Sequence, residues 1–173
     1  MVNVFTDQKY LPNVGWQNME AVVANNAPQK TTSISVESLD HISIAVPDLA
    51  QAIDLYREKF GCVVSNPMEL LEQGIRIAYV GLGNAKLELM EPLGSSSPIS
   101  KFLENHPAGG LHHFCLTTND VSEAAATANN SGMRVLGGDT LTIGHHGKKL
   151  FFIHPKDTLG SLIEIEETLA KDN

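Results

Sequence analysis

Leu39-Asp40-His41-Ile42-Ser43-Ile44-Ala45-Val46-Pro47-Asp48 and Leu111-His112-His113-Phe114-Cys115-Leu116-Thr117-Thr118-Asn119-Asp120 carry one pattern twice. In the first, apolar and polar residues alternate as a half-buried strand requires, and Pro47 ends the run. Asp48 then stands at a helix N-cap position, because its side chain can accept from the free N–H groups of a first turn. Leu39 matches Leu111, His41 matches His113 and Asp48 matches Asp120, each pair 72 residues apart. Two copies at so long a period predict a pseudo-symmetric pair of modules, not a solenoid.

The pattern extends outward from both stretches. After Asp48, Leu49, Ile53, Tyr56 and Phe60 recur at helical spacing and Gly61 stops the helix. Strand-like runs follow at 63–69, 75–82 and 86–90, the last two joined by the turn at 81–84. A turn-rich linker at 92–98 and a short helix at 99–105 lead to the second copy. There a strand at 111–117, a helix at 121–130 stopped by Gly132, and strands at 134–137, 149–154 and 161–166 repeat the order, with 139–147 able to supply one more. The helix-ending glycines match to within one residue of the period. The fold class is therefore α+β: paired β-α-β-β-β modules, 39–93 and 111–167, forming an open, curled mixed sheet. Residues 1–38 read as an N-terminal extension with a short helix at 17–24, and 168–173 as a C-terminal tail.

Composition narrows the partners. A net charge of −8 argues against nucleic acid and anionic membrane, both polyanions, while leaving room for a local basic patch. No apolar run nears the roughly 18 residues that span a bilayer. The N-terminus has no basic start followed by an apolar stretch, so no secretory signal is expected. Residues 1–37 contain Asp7, Glu20 and Glu37 but no arginine, a poor transit peptide. Cys62 and Cys115 sit in apolar surroundings with no CxxC spacing and read as reduced, buried thiols. The expected location is the cytoplasm, or the mitochondrial matrix if the organism is eukaryotic.

The repeat also predicts a site. His41 and His113 occupy the same place in the first strand of each module. Glu88, between Leu87 and Leu89, and Glu164, between Ile163 and Ile165, do the same in the last strands. Neighbours along a strand point to opposite faces, so each glutamate faces away from its aliphatic flanks. If the halves curl together, two imidazoles and two carboxylates converge in one cleft. That nitrogen–oxygen set suits a divalent ion such as cobalt, nickel, manganese or zinc, with two positions of an octahedron left open.

Several stretches invite a family name: Leu39-Asp40-His41, Glu72-Gln73-Gly74, Leu87-Glu88-Leu89-Met90-Glu91-Pro92-Leu93, Gly110-Leu111-His112-His113, and His154-Pro155-Lys156 with Gly160-Ser161-Leu162-Ile163-Glu164. Over 39–167 the chain resembles the methylmalonyl-CoA epimerase family of the vicinal oxygen chelate (glyoxalase-like) superfamily. The resemblance implies paired modules, a homodimer, a divalent metal (Co2+ foremost) on His41, Glu88, His113 and Glu164, and an acyl-CoA substrate. One ligand position is glutamine in some members; glutamate stands here at 88. The implied reaction is epimerisation at the α-carbon through an enolate, the substrate chelating the ion through its carboxylate and thioester oxygens, with Glu88 and Glu164 as candidate acid/base groups.

For the substrate, Gln73 is expected to line the acyl pocket, the turn and helix at 97–102 to close one edge, and the loop at 144–149, with His146, Gly147 and Lys149, to meet the CoA arm. His154 and Lys156 are candidates for phosphate contact or for shaping a turn. Met90, Phe114 and Phe152 read as core, and His106 and His112 as surface or structural. The rivals are a glyoxalase I-type lactoylglutathione lyase, a ring-cleaving dioxygenase, which would need only three protein ligands, and a metal-free small-molecule binder.

Overall fold

Among the described residues ten strands form one mixed sheet, and its order follows the duplication seen in the sequence. The computed structural model describes residues 33–137 and 141–168. The helix predicted at 17–24, most of the extension and most of the tail lie outside the described residues. The first module contains β1 (Leu39–Ala45), α1 (Leu49–Asp54), β2 (Val63–Val64), β3 (Met68–Leu70), β4 (Ile75–Gly81) and β5 (Lys86–Pro92). After α2 (Ser100–Asn105), the second contains β6 (Gly110–Thr118), α3 (Val121–Asn130), β7 (Val135–Leu136), β8 (Thr142–Ile143), β9 (Lys149–Ile153) and β10 (Leu162–Glu167). The sheet runs β2-β4-β5-β1-β6-β10-β9-β7, with β3 on β4 and β8 on β9. Within each module the first strand is parallel to the last; between modules β1 and β6 are antiparallel. The sheet is open, as expected.

Ile42 pairs with Phe114, its own equivalent in the repeat, so a local two-fold axis passes between them. His41 opposite Cys115 and Ser43 opposite His113 flank that axis symmetrically.

Alternation sorts the two faces of the sheet. Leu49 and Ile53 of α1 pack on Ala78, Val80, Leu87 and Leu89. Val121, Ala124 and Ala128 of α3 pack on Phe151, Ile153 and Ile165. The helices cover the aliphatic face, and the histidines and glutamates are left on the other.

Both predicted caps form. Asp48 accepts from the Gln51 N–H at 2.9 Å and Asp120 from the Glu123 N–H at 2.8 Å. The one-residue mismatch between the helix-ending glycines also has a cause. The first helix ends in a π-turn, Leu55–Lys59, and Cys62 N–H reaches back six residues to the Tyr56 carbonyl; in the second, Met133 N–H reaches back five to Ala128. The wider turn takes up the extra residue without rotating the strands that follow.

Two expectations change. The strand expected over 63–69 is split into β2 and β3, because Pro67 has no N–H to give the ladder and Ser65 bonds Tyr79 through both its backbone and its Oγ. The end of the predicted extension is part of the domain: Glu37 and Ser38 bond the backbone of Thr117, and Ile34 packs beside α3. Among the described residues no helix is long and apolar enough to cross a membrane.

Gly109 locks the junction of the modules. Its φ is +82°, and a Cβ there would lie 2.6 Å from the Ala45 carbonyl oxygen. Gly61, at φ +67°, has open space around the same position. Gly61→Ala should therefore cost only the left-handed backbone penalty of about 1–2 kcal/mol. Gly109→Ala adds a backbone collision and should cost more than twice as much. For a chain of this size each kcal/mol lowers Tm by about 2–4 °C, so melts followed by circular dichroism will rank the two.

Candidate metal centre and substrate cavity

His41, Glu88, His113 and Glu164 converge on the helix-free face, all at least nine-tenths buried. The His41 and His113 rings lie 5.7 Å apart, edge to face. His41 Nε2 is 3.6 Å from Glu88 Oε2 and 4.0 Å from Glu164 Oε2; His113 Nε2 is 2.8 Å from Glu164 Oε2. Ligating atoms of His41, Glu88 and His113 all lie within 4.8 Å of one another. Donors about 2.1 Å from a shared octahedral ion stand about 3 Å apart when adjacent and about 4.2 Å when opposite, and the set spans that range.

The imidazoles themselves fit a cation. Both Nε2 atoms are buried without a hydrogen-bond partner, the Glu164 oxygen lying close to His113 but off the line a hydrogen bond needs. Both Nδ1 atoms are engaged: His41 with Asp40 Oδ2 at 2.7 Å, His113 with His112 Nδ1 at 2.8 Å. A ring that donates from Nδ1 presents its Nε2 lone pair, the arrangement by which outer partners orient metal-binding histidines.

Asp40 and His112 engage the two rings directly, although the sequence points to neither for this place and His112 reads there as surface or structural. Each precedes its histidine directly, and chain adjacency gave no sign that the side chains would meet. Lys86 Nζ, 2.9 Å from Asp40 Oδ2, steadies that carboxylate. The His41 bond and then Lys86 hold Asp40 well below the usual carboxylate range. Burial opposes charge on His41, but the Asp40 bond and the nearby Glu88 and Glu164 outweigh it and raise its pKa above the ordinary 6.5. Burial, and then the charge of His113, push His112 down to about 4, so it is a neutral partner.

Glu88 is held from both sides: Ser43 Oγ–H donates to Oε2 at 2.7 Å and Tyr79 O–H to Oε1 at 3.0 Å.

The four residues sit in the wall of a cavity of about 750 Å³ lined by both modules. Gln73 and His146 lie on its wall, as expected. Gly147 and Lys149 are not among the residues that line it. Leu150 and Phe152 of β9 face the cavity, so alternation turns Lys149 to the other face, and Gly147 is at the tip of its turn. His146 stacks on Tyr79 at 6.3 Å, bringing the second-module loop over the first module; burial, and then His145, lower its pKa, leaving a neutral hydrogen-bonding ring. Met90 and Phe152, read as core, also line the cavity, while His154 caps the turn at Pro155–Asp157 by accepting from the Lys156 N–H. Glu72, beside Gln73, is exposed on the cavity wall and carries no hydrogen bond or ion pair among the described residues.

A doubled module with two histidines and two carboxylates around one cleft defines the class. The chain belongs to the Glyoxalase/Bleomycin resistance protein/Dioxygenase superfamily, whose family model matches residues 40–152. Within it, the similarity is to epimerases. The chain is 44% identical over 129 residues to the ethylmalonyl-CoA/methylmalonyl-CoA epimerase of Cereibacter sphaeroides, covering 75% of this chain and 96% of that one. It is 42% identical over 134 residues to the mitochondrial methylmalonyl-CoA epimerase of Dictyostelium discoideum, covering 78% of this chain and 80% of that one. A solved structure of a Streptomyces coelicolor methylmalonyl-CoA epimerase variant in complex with 2-nitronate-propionyl-CoA superposes with a TM-score of 0.71 at 34% identity, covering 79% of this chain and 97% of that one.

A raised His41 pKa makes metal affinity sensitive to pH. Protons compete with the ion for Nε2, so affinity for Co2+ should begin to fall above pH 6.5 on acidification and approach a tenfold loss per unit below. In the metal-free protein the sign reverses. The His41 contribution to stability is fully present below 6.5 and is lost as pH rises through the raised value. Calorimetric Co2+ titrations and metal-free melts across pH 5.5–8 (about half-unit steps) check both signs.

Proposed function

We propose that this chain epimerises methylmalonyl-CoA at the α-carbon, as its named relatives do, using a divalent ion held by His41, Glu88, His113 and Glu164. The observation that carries the reading is the pair of buried, unpartnered Nε2 atoms facing two carboxylates at the wall of a cavity large enough for an acyl group. A divalent ion there supplies Lewis acidity to the thioester oxygen; the same effect takes a water pKa from about 16 to about 7, on the order of 12 kcal/mol.

The chain's own groups supply the rest. Epimerisation removes the α-proton from one face and returns a proton to the other, so two acid/base groups must flank the carbon, and carboxyl groups are the candidates here. Glu164 serves one face: its polar contacts are to imidazoles, and no hydroxyl holds it among the described residues. For the other face the sequence offered Glu88, but both its oxygens already accept hydrogen bonds. Of the other acidic side chains on the cavity wall, Asp40 is tied to His41 and Lys86, and Glu166 to Lys148. Glu72 remains free, and we assign it the second face. The 144–147 loop, with His146, takes the CoA arm at the mouth, and Gln73 contacts the acyl group. The protein works as a homodimer, with Co2+ the preferred ion, in the cytoplasm or, in a eukaryote, the mitochondrial matrix.

The direct test is deuterium incorporation at the α-carbon of methylmalonyl-CoA in heavy water. Exchange should be rapid in the loaded protein, stop with chelator and return with Co2+. Glu164→Gln should slow exchange by about 10²–10⁴-fold, the usual contribution of a positioned acid/base group. Turnover of methylglyoxal with glutathione, in place of exchange, would favour the glyoxalase reading instead.

A further inference from the structure

The two halves surround their two carboxylates with different groups. In register, Glu88 lies between Ser43 of β1 and Tyr79 of β4; its counterpart Glu164 lies between Cys115 of β6 and Phe152 of β9. Ser43 and Cys115 are equivalents in the repeat, as the register about the axis shows. In the first half both neighbours carry hydroxyls and both donate to the carboxylate, one to each oxygen. In the second half the same two places hold a thiol and a benzene ring. Ser43 and Cys115 are both completely buried.

We propose that Ser43 and Tyr79 are positioning residues: a two-hydroxyl clamp that fixes Glu88 as the stationary carboxylate of the metal site and leaves Glu164 as the one free to move a proton. The proposal rests on the function proposed above and deepens it.

A carboxylate oxygen has two lone-pair sites. One on each Glu88 oxygen is taken by a hydroxyl, and Oε2 keeps the other on the side of His41 Nε2. Two donors on opposite oxygens stop the carboxylate from rotating about its last bond, so its ligating lone pair stays aimed. Glu164 has neither restraint, although its strand pairings are the two-fold equivalents of those of Glu88.

The test uses the full chain, stripped of metal and titrated with Co2+ alone. Tyr79→Phe and Ser43→Ala each remove one clamp hydroxyl while keeping the shape of the side chain. Each should weaken Co2+ binding about tenfold, the low end of losses for outer-shell partners, and alter the visible absorption of the bound ion. Affinity and spectrum both unchanged in both variants would overturn the clamp. The converse variant is Cys115→Ser, which places a hydroxyl beside Glu164 as Ser43 lies beside Glu88. It should lower kcat for methylmalonyl-CoA at saturating Co2+ with KM unchanged; an unchanged kcat would show that Glu164 is indifferent to such a donor and overturn the second half of the proposal. These Co2+ readings need no substrate. Failure of the epimerase reading would show separately, as wild-type protein that binds Co2+ but exchanges no α-proton.

Discussion

Antiparallel pairing of β1 with β6 about the Ile42–Phe114 axis is the constraint on which the site depends. It sets His41 and His113 diagonally across two neighbouring strands, and the parallel strands on either side bring in Glu88 and Glu164. A slip of one residue in that register would send one histidine to the helix face. The close approach of Gly109 to the end of β1 holds the register from outside the site. The cost of the arrangement is electrostatic. Two neutral imidazoles and two carboxylates put a charge of −2 in a buried wall, which a low-dielectric interior strongly disfavours. A divalent cation would offset that charge and satisfy both unpartnered nitrogens at once; in its absence the Asp40 bond, and then Glu88 and Glu164, raise the His41 pKa.

The sequence made the fold legible because its signals are local and occur twice. Strand alternation, the Asp48 and Asp120 caps and the helix-ending glycines are each decided within a few residues. The four candidate ligands became a set only because the repeat put like residues in like places. What stayed hidden depends on contact between residues distant in the chain, or on rotamers. Ser43 and Tyr79 reach Glu88 across two strand pairings, and neither residue type signals such a role. Asp40 and His112 sit beside their histidines, yet strand geometry alone would point each to the opposite face. Both curl round at a strand start to meet the neighbouring ring. The charge of Lys149 and its place beside a loop suggest a ligand contact, but the alternation of Leu150 and Phe152 turns it to the other face.

A symmetric scaffold suits this reaction, and strict symmetry would not. The two epimers differ only at a carbon remote from the chirality of the CoA arm, so their energies are nearly equal and the site must serve both directions. Two carboxyl groups on opposite faces do this, each acting as base in one direction and acid in the other. The two ligand carboxylates hold equivalent ladder positions on β5 and β10, on either side of the central β1–β6 pair, but their surroundings differ. On the reading proposed above, a carbon held there presents one face to Glu164 and the other to another part of the cavity wall. The turn before β4, with Glu72, forms part of that wall. On the assignment proposed above, the duplicated strands carry the four metal-site residues, and the second acid/base group comes from a turn whose counterpart before β9, residues 144–148, has no acidic residue in place of Glu72. The irregular stretch around Pro67, where the predicted strand divides into β2 and β3, leads directly into that turn.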